Sequence, residues 1–215
     1  MSQPEVQLQR HGAAAPVVAV AVFNRPQVLN AFRSATFDAL HRILDQVRDD
    51  ASLAALVLTG SGRAFCAGED LAEMDAAGAF TVRGAYRELH RVQDLTRKLA
   101  GLGKPVVAAI NGPAVGLGAE LALACTARLG AEEAYLFFSE PRRAMVQTNG
   151  AFHFLPRLVG QGRAAEWLLT ARRVPAEEAL QAGYFTELVA AERLVERTVE
   201  LAAQMARGGG SHRSV

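Results

Sequence analysis

Two glycine-rich turns hold the residues whose types and spacing are best suited to chemistry. Residues 59–71 read TGSGRAFCAGEDL, and residues 111–120 read NGPAVGLGAE. Glycine permits backbone conformations in which N–H groups point unpaired into a cleft. The second turn also opens a predicted helix, whose first N–H groups and dipole favour negative charge. The second turn is therefore a candidate for stabilising a developing negative charge, such as that of a thioester enolate.

Each turn alone has a simpler interpretation. A single glycine-rich stretch such as residues 59–71 is more typical of a long surface loop. Residues 111–120 are equally typical of a helix that packs closely through small residues. The pair is therefore more informative than either turn by itself.

The strands and helices predicted around the two turns indicate how the turns are positioned. Strands are predicted by β-branched apolar runs, and helices by apolar residues at helical spacing. The predicted strands cover residues 16–23, 53–59, 105–110, 134–138 and 185–189, and the predicted helices cover residues 35–48, 86–100, 164–169, 175–182 and 191–207. Alternating helices and nearly continuous apolar strands predict an α/β architecture with parallel strands buried on both faces.

Length and composition limit the possible function classes. A chain of 215 residues predicts one compact domain over residues 15–207, with a flexible N-terminus at 1–14 and a disordered tail at 208–215. A net charge of +1 gives no electrostatic case for nucleic acid or an anionic membrane. No apolar run approaches the ~20 residues of a membrane span. Cys66 and Cys125 predict reduced thiols in a cytoplasmic protein, and the histidines have no metal-ligand spacing.

Three motifs occur in the order found in one enzyme family. Residues 24–26 read NRP, residues 59–70 fit TGxGxxFxAGxD, and residues 104–125 fit KPxxAAxxGxAxGxGxELAxxC. On these motifs the chain resembles the crotonase (enoyl-CoA hydratase/isomerase) superfamily over residues 15–205. The resemblance implies a crotonase-like spiral of repeated ββα units with flanking helices. It also implies a homo-oligomer, either a trimer or a dimer of trimers, and an acyl-CoA substrate, with no tightly bound cofactor beyond the coenzyme A of that substrate.

The resemblance assigns backbone and binding roles to residues of both turns. In the family, the two N–H groups of the oxyanion hole come from the positions of Glu69 and Leu117 here. Most relatives have small residues at these positions, but the N–H groups belong to the backbone and are retained with any side chain. The resemblance places six residues along the coenzyme A and substrate cleft: Arg25, Ala67, Gly68, Asp70, Leu71 and Gly116.

Two glutamates specify the reaction that the resemblance implies. Hydratases of the family carry one glutamate in the GxGxE segment, which matches Glu120, and a second twenty residues later, which matches Glu140. Counting back from the LPR motif at residues 155–157 reaches the same second glutamate. Two carboxyl groups in one apolar pocket tend to separate their pKa values, so that one acts as acid and the other as base. The leading hypothesis is an enoyl-CoA hydratase, in which both glutamates position the water and Glu140 donates a proton to Cα.

Two other functions remain open. An enoyl-CoA isomerase needs one carboxylate to move a proton between carbons, and a crotonase-like protein could bind acyl-CoA or a partner chain without turnover. The residues themselves also allow Glu120 to be an early-turn helix glutamate favoured by the dipole, and Glu140 an exposed loop acid. Cys66 has no neighbouring base in its motif and is interpreted as a small buried residue rather than a nucleophile.

The segment around the second glutamate departs from the family pattern. Ser139 precedes it where most relatives have proline. Residues 144–151 (AMVQTNGA) keep only Gly150 of the usual glycine- and proline-rich stretch, which shapes the acyl pocket.

Two further features bear on the acyl side of the site. Arg142 and Arg143 either lower the pKa of the neighbouring Glu140 carboxyl through their charge or are solvated. The family continues beyond residues 202–206 into helices that cover the acyl site, which predicts a C-terminal helical lid that is shortened or absent here.

Overall fold

A computed structural model describes residues 3–12, 16–76 and 81–208. The strands are β1 (Val6–His11), β2 (Val17–Phe23), β3 (Leu53–Gly60), β4 (Val106–Ile110), β5 (Ala114–Val115), β6 (Ala127–Ala131), β7 (Tyr135–Phe137), β8 (Arg173–Pro175) and β9 (Glu187–Val189). The helices are α1 (Ser34–Asp49), α2 (Leu71–Ala76), α3 (Val82–Ala100), α4 (Leu117–Leu123), α5 (Ala151–Val159), α6 (Gln161–Thr170), α7 (Ala176–Gln181) and α8 (Leu194–Gly208). Short 3-10 turns cover Pro26–Val28, Glu140–Arg143 and Ala191–Arg193.

The strands form two sheets. The larger has the order β1-β2-β3-β4-β6-β9, and the smaller has the order β5-β7-β8. All neighbours from β2 to β9 in the larger sheet are parallel, whereas β1 pairs antiparallel at the edge. In the smaller sheet, β5 and β7 are parallel, and β7 and β8 are antiparallel. This arrangement confirms the predicted α/β class with a sheet rich in parallel pairs.

Both faces of the larger sheet are covered, which explains why its strands are continuous apolar runs. On one face, alternate residues such as Val20, Val57 and Val107 pack with Leu194 and Ala202 of α8. The residues between them point to the other face and join the core around α1, α3 and α4. Because β3 and β4 are neighbouring parallel strands, the two glycine turns leave the same edge of the sheet. The topology therefore brings the turns together.

The N-terminus differs from the sequence prediction. Residues 1–14 are expected to be flexible, but Val6–His11 forms β1 and pairs with β2 along its whole length. Val6 is buried and Leu8 packs against the core, whereas Gln9 and Arg10 are exposed. An edge strand needs apolar residues on one face only, so its polar composition hides it from a search for apolar runs.

Two helices near the site lack a sequence prediction. Helix α2 follows the first glycine turn directly, and α5 begins after Gly150.

Gly208 ends α8 rather than opening a tail, and the rest of the predicted tail, residues 209–215, lies outside the described residues. None of the helices in the described ranges is long and apolar enough to span a bilayer.

Asn30 connects the NRP turn to the first glycine turn. It is buried, with a backbone φ of 60°. Its side-chain oxygen accepts a hydrogen bond from the Arg25 N–H at 2.9 Å. Its amide nitrogen donates to the carbonyl oxygens of Ser61 and Ala64 at 2.9 and 2.8 Å. One side chain thus satisfies three main-chain groups in two separate segments.

We expect Asn30→Ala to destabilise the protein by about 2–4 kcal/mol, because it leaves buried main-chain groups unsatisfied and places alanine at a positive φ. Urea denaturation measures the loss. Asn24→Ala is the matched control, since among the described residues the Asn24 side-chain amide bonds to exposed groups of Gln3 and Pro4, and we expect it to cost less than about 1 kcal/mol. Equal losses for both variants would contradict this role for Asn30.

Candidate active site

A cavity of about 650 Å³ lies between the first glycine turn, the start of α4 and the segment that follows β7. Its wall includes eight of the residues predicted for the site: Ala67, Gly68, Glu69, Leu71, Gly116, Leu117, Glu120 and Glu140. The fold therefore gathers at one cavity the residues that the two turns and the second glutamate contribute.

Arg25 and Asp70 are the predicted binding residues that the structure places beside the cavity rather than in its wall. The Arg25 guanidinium donates to Asp70 Oδ2 at 3.1 and 3.2 Å, and to the carbonyl oxygen of Ala31. Its side chain is 11 % exposed. These contacts connect the NRP turn to the end of the first glycine turn, so Arg25 stabilises the position of that turn beside the cavity.

The two glycine turns are joined by main-chain hydrogen bonds. Cys66 and Ala114 form an isolated parallel bridge. Around it, the Cys66 N–H donates to the carbonyl oxygen of Pro113 at 3.2 Å, and the Val115 N–H donates to the carbonyl oxygen of Cys66 at 2.9 Å. The two segments that carry the predicted oxyanion-hole positions consequently lie side by side.

The orientation of the Glu69 N–H follows from a second bridge, to Phe32. The Phe32 N–H donates to the Gly68 carbonyl at 2.8 Å, and the Asp70 N–H donates to the Phe32 carbonyl at 2.7 Å. Because successive peptide groups of an extended segment point in opposite directions, the Glu69 N–H faces away from Phe32. Gly68 approaches the other turn closely, since a Cβ placed on it would lie 3.8 Å from the Leu117 nitrogen.

Leu117 is the first residue of α4, so its N–H has no acceptor within the helix. The preceding residue, Gly116, has a φ of 51° and a ψ of −120°, a conformation that favours glycine. Its own N–H donates to the Phe137 carbonyl at 2.8 Å. A Cβ on Gly116 would lie 3.0 Å from Glu140 Oε1, so this glycine also makes room for the second glutamate.

Glu120 lies in the first turn of α4 and is 3 % exposed. Its Oε1 accepts hydrogen bonds from the N–H groups of Asn149 and Ala151, at 3.0 and 3.2 Å. Burial raises the pKa of the Glu120 carboxyl to about 8, and the negative charge of Glu140 adds to the rise. This environment is not that of an ordinary early-turn helix glutamate, because the helix dipole alone would lower the pKa.

Glu140 begins the 3-10 turn after β7. Its Oε2 is buried and has no hydrogen-bond partner among the described residues. Burial raises the pKa of this carboxyl. The neighbouring Arg142 guanidinium donates to the Ala171 carbonyl oxygen at 2.9 Å and lies over the Phe137 ring.

Three further side chains of the cavity region bear on the sequence predictions. Glu69 lines the cavity, and its charge also contributes to the raised pKa of Glu120. Burial raises the pKa of the Cys66 thiol to about 12, which agrees with a packing role rather than a nucleophilic one. Arg143 is exposed and lies at the cavity wall, which agrees with the solvated alternative.

The partners of Glu120 are the functional residues that the sequence analysis misses. Asn149 and Ala151 lie in the stretch that departs from the family pattern, and their side chains give no indication of the role of their N–H groups. Gly150 is the sequence feature that could have indicated these N–H groups. It has a φ of 100° and caps the N-terminus of α5, so the turn around it presents both N–H groups to one carboxylate oxygen.

Apolar side chains form much of the remaining cavity wall. They come from α2, α3 and the segment before α5, and they include Met74, Leu89, Val92, Met145 and Val146. Within the described ranges, no group of three or more His, Cys, Asp or Glu side chains is placed to hold a metal ion. The site thus combines buried carboxyl groups, oriented main-chain N–H groups and an apolar wall.

Comparison with known proteins agrees with this geometry. Residues 14–214 match the family model described as enoyl-CoA hydratase/isomerase. A short-chain-enoyl-CoA hydratase from Clostridium acetobutylicum is 34% identical, over 86% of this chain and 70% of that protein. A 1,2-epoxyphenylacetyl-CoA isomerase from Escherichia coli is 35% identical, over 88% of this chain and 72% of that protein.

Solved structures show the same relation. The crystal structure of an enoyl-CoA hydratase from Bacillus anthracis superposes with a TM-score of 0.85 at 34% identity, covering 93% of this chain and 76% of that one. Relatives with hydratase names and relatives with isomerase names match at similar identity, so the comparisons fix the family and not the reaction. The chain belongs to the enoyl-CoA hydratase/isomerase family of the crotonase superfamily.

Proposed function

We propose that this crotonase-type enzyme hydrates trans-2-enoyl-CoA thioesters. The observation that carries the proposal is the convergence of Glu120 and Glu140, both with raised pKa values, on the cavity that also holds Glu69 and Leu117. Burial raises the pKa of both carboxyl groups, and the charge of Glu140 adds to the rise at Glu120. Such a pair can share one proton. Such a pair supplies an acid and a base at the same time, which is what the addition of water requires.

The N–H groups of Glu69 and Leu117 are proposed to hold the thioester oxygen. As water adds at Cβ, negative charge accumulates on this oxygen, and oriented main-chain donors stabilise it at little reorganisation cost. The first-turn position of Leu117 and the orientation of the Glu69 peptide support this role. Ala67, Gly68, Leu71 and Gly116, together with Arg25 and Asp70 beside the cavity, are proposed contacts of the coenzyme A substrate.

The position of each carboxyl group supports a division of roles. Glu140 Oε1 lies beside Gly116, next to the proposed oxyanion site, and Cα of the substrate is bonded to the thioester carbon. Glu140 is therefore the proposed proton donor to Cα. Glu120 takes a proton from the attacking water as the water oxygen bonds to Cβ. The π bond of the alkene, one O–H bond of water and the O–H bond of Glu140 break, and a C–O bond, a C–H bond and the O–H bond of Glu120 form. Proton exchange between the two carboxyl groups restores the site.

Isomerisation is the second candidate. It moves a proton between two carbons and needs only one ionised carboxylate near them. Glu120 Oε1 accepts hydrogen bonds from the N–H groups of Asn149 and Ala151, which stabilise the ionised form of this carboxyl group. These bonds favour isomerisation. Glu140 Oε2 favours hydration instead, because it is buried without a hydrogen-bond partner in the described part of the chain and offers water or the substrate a second polar contact.

Assembly and location follow as proposals. We propose a homo-oligomer, a trimer or a dimer of trimers, in the cytoplasm. Exposed apolar side chains at Val82, Tyr86, Val146 and Leu169 support association of copies. The free, buried thiols of both cysteines support a reducing compartment.

Loss of the conjugated-enone absorbance of crotonyl-CoA, and of a longer enoyl-CoA, tests the reaction directly. We expect loss at an enzymatic rate with 3-hydroxyacyl-CoA as the product, identified by mass spectrometry. A product that keeps the mass of the substrate but shifts the double bond would establish the isomerase. Binding of acyl-CoA by calorimetry without either product would leave a non-catalytic binder.

Glu140→Gln should lower kcat by at least about 100-fold, because the variant cannot transfer the proton. We expect acyl-CoA affinity to change by less than about threefold, since size and polarity are retained. Glu133→Gln, on the exposed turn between β6 and β7, is the matched control and should retain full activity. Undiminished turnover by the Glu140 variant would remove this carboxyl group from the mechanism.

Burial of Glu120 also predicts how stability depends on pH. The pKa of its carboxyl rises from 4.5 to about 8 on folding, so the folded state binds the proton more tightly and loses stability as pH rises between these values. Glu120→Gln keeps an acceptor oxygen and cannot ionise. We expect it to be more stable than the parent by about 1–3 kcal/mol at pH 8, and no more stable at pH 4.5. Urea denaturation at both pH values would disprove this if the difference were constant.

A further inference from the structure

The turn that binds Glu120 is held from outside the cavity by α3. Thr96 and Asn149 are both buried, and the Thr96 hydroxyl donates to Asn149 Oδ1 at 2.5 Å. One helical turn away on the same side of α3, Gln93 Nε2 donates to the carbonyl oxygen of Thr148 at 3.0 Å. These side chains connect α3 to the residues just before α5.

The hydroxyl of Thr96 is the group that orients the Asn149 side chain. Asn149 Nδ2 is buried and has no hydrogen-bond partner among the described residues, so the bond at Oδ1 is the one that fixes the amide. The main-chain N–H of the same residue donates to Glu120 Oε1. A Cβ on Gly150 would lie 2.8 Å from the Phe154 ring and 3.8 Å from Thr96 Cγ2, so the turn is packed closely against both.

We propose that Thr96 is a positioning residue for Glu120, acting through Asn149. The hydroxyl orients the Asn149 amide, which sets the turn so that the N–H groups of Asn149 and Ala151 meet one carboxylate oxygen. Glu120 is then held at a fixed depth in the cavity. This inference rests on the proposed function, in which Glu120 handles the attacking water.

The charges near Glu120 make these N–H groups important. Glu140 and Glu69 are the charged groups whose effect on Glu120 is resolved, and both are carboxylates that oppose its ionisation. The N–H groups of Asn149 and Ala151 act in the opposite direction and favour the ionised form. If the turn moves, the repulsive contributions remain and the stabilising ones weaken, so Glu120 binds its proton more tightly.

Steady-state kinetics with an enoyl-CoA test the proposal. We expect Thr96→Val, which keeps side-chain volume, and Thr96→Ala, which adds no atom, to lower kcat about tenfold with KM within about twofold, because a small displacement of a catalytic group reduces turnover. Thr96→Ser should restore most of the activity. Thr198→Val is the matched control, since its buried hydroxyl bonds to the Leu194 carbonyl at 2.7 Å within α8, on the far face of the sheet.

A titration without substrate separates this proposal from the proposed function. Carbon-13 NMR of glutamate-labelled protein follows the Glu120 carboxyl, assigned by its absence in Glu120→Gln. We expect Glu120 to titrate at higher pH in the valine and alanine variants than in the parent, the serine variant and the Thr198 control. An unchanged titration in both Thr96 variants would overturn the inference, even if hydration is observed. A shifted titration would support it even if the parent hydrates no enoyl-CoA.

Discussion

The pairing of the two glycine turns is the constraint on which the rest of the site depends. A few main-chain hydrogen bonds, between Cys66 and the residues on either side of Ala114, place two loops from neighbouring strands side by side. A few hydrogen bonds are enough to join loops at the same edge of a parallel sheet, because the neighbouring strands already place these loops close together. The wall that carries Glu69 and Leu117 follows from this register, and so does the start of α4.

The carboxyl groups of the cavity show how the fold tolerates an unfavourable arrangement. Several carboxylates facing one apolar space destabilise the folded state when ionised, and burial increases the effect. Part of this cost is offset at Glu120 by the N–H groups at the start of α5, and part by retention of a proton. The features that make the site costly are those that make it chemically useful, which is common where acid and base groups are paired.

The sequence predicts β2, β3 and β4 because parallel strands buried on both faces are nearly pure apolar runs. It misses β6 in the same sheet, whose sequence ARLGA contains an arginine and a glycine. It predicts the two turns and the two glutamates because their motifs are long and ordered. It misses β1, whose apolar residues occupy one face of an edge strand. It also misses the partners of Glu120, because these are main-chain groups positioned by the geometry of a turn, and side-chain identity does not encode them.

The same limit applies to the ion pair between Arg25 and Asp70. Their motifs assign both to the coenzyme A cleft, and the sequence cannot show that an arginine and an aspartate in separate segments bond to each other. Their ion pair lies behind the cavity wall. Long-range pairs of this kind depend on the tertiary fold, whereas the runs and turns discussed above depend on local sequence.

The polar edge strand β1 also determines which main-chain groups the larger sheet offers to another chain. Strand β2 is an apolar run of β-branched and small residues, the composition that forms intermolecular sheets when an edge is open. Strand β1 occupies that edge and replaces it with one that displays Gln9 and Arg10. At the opposite edge, β9 is only three residues long. The sheet therefore ends on both sides in strands that are poor templates for fibril growth.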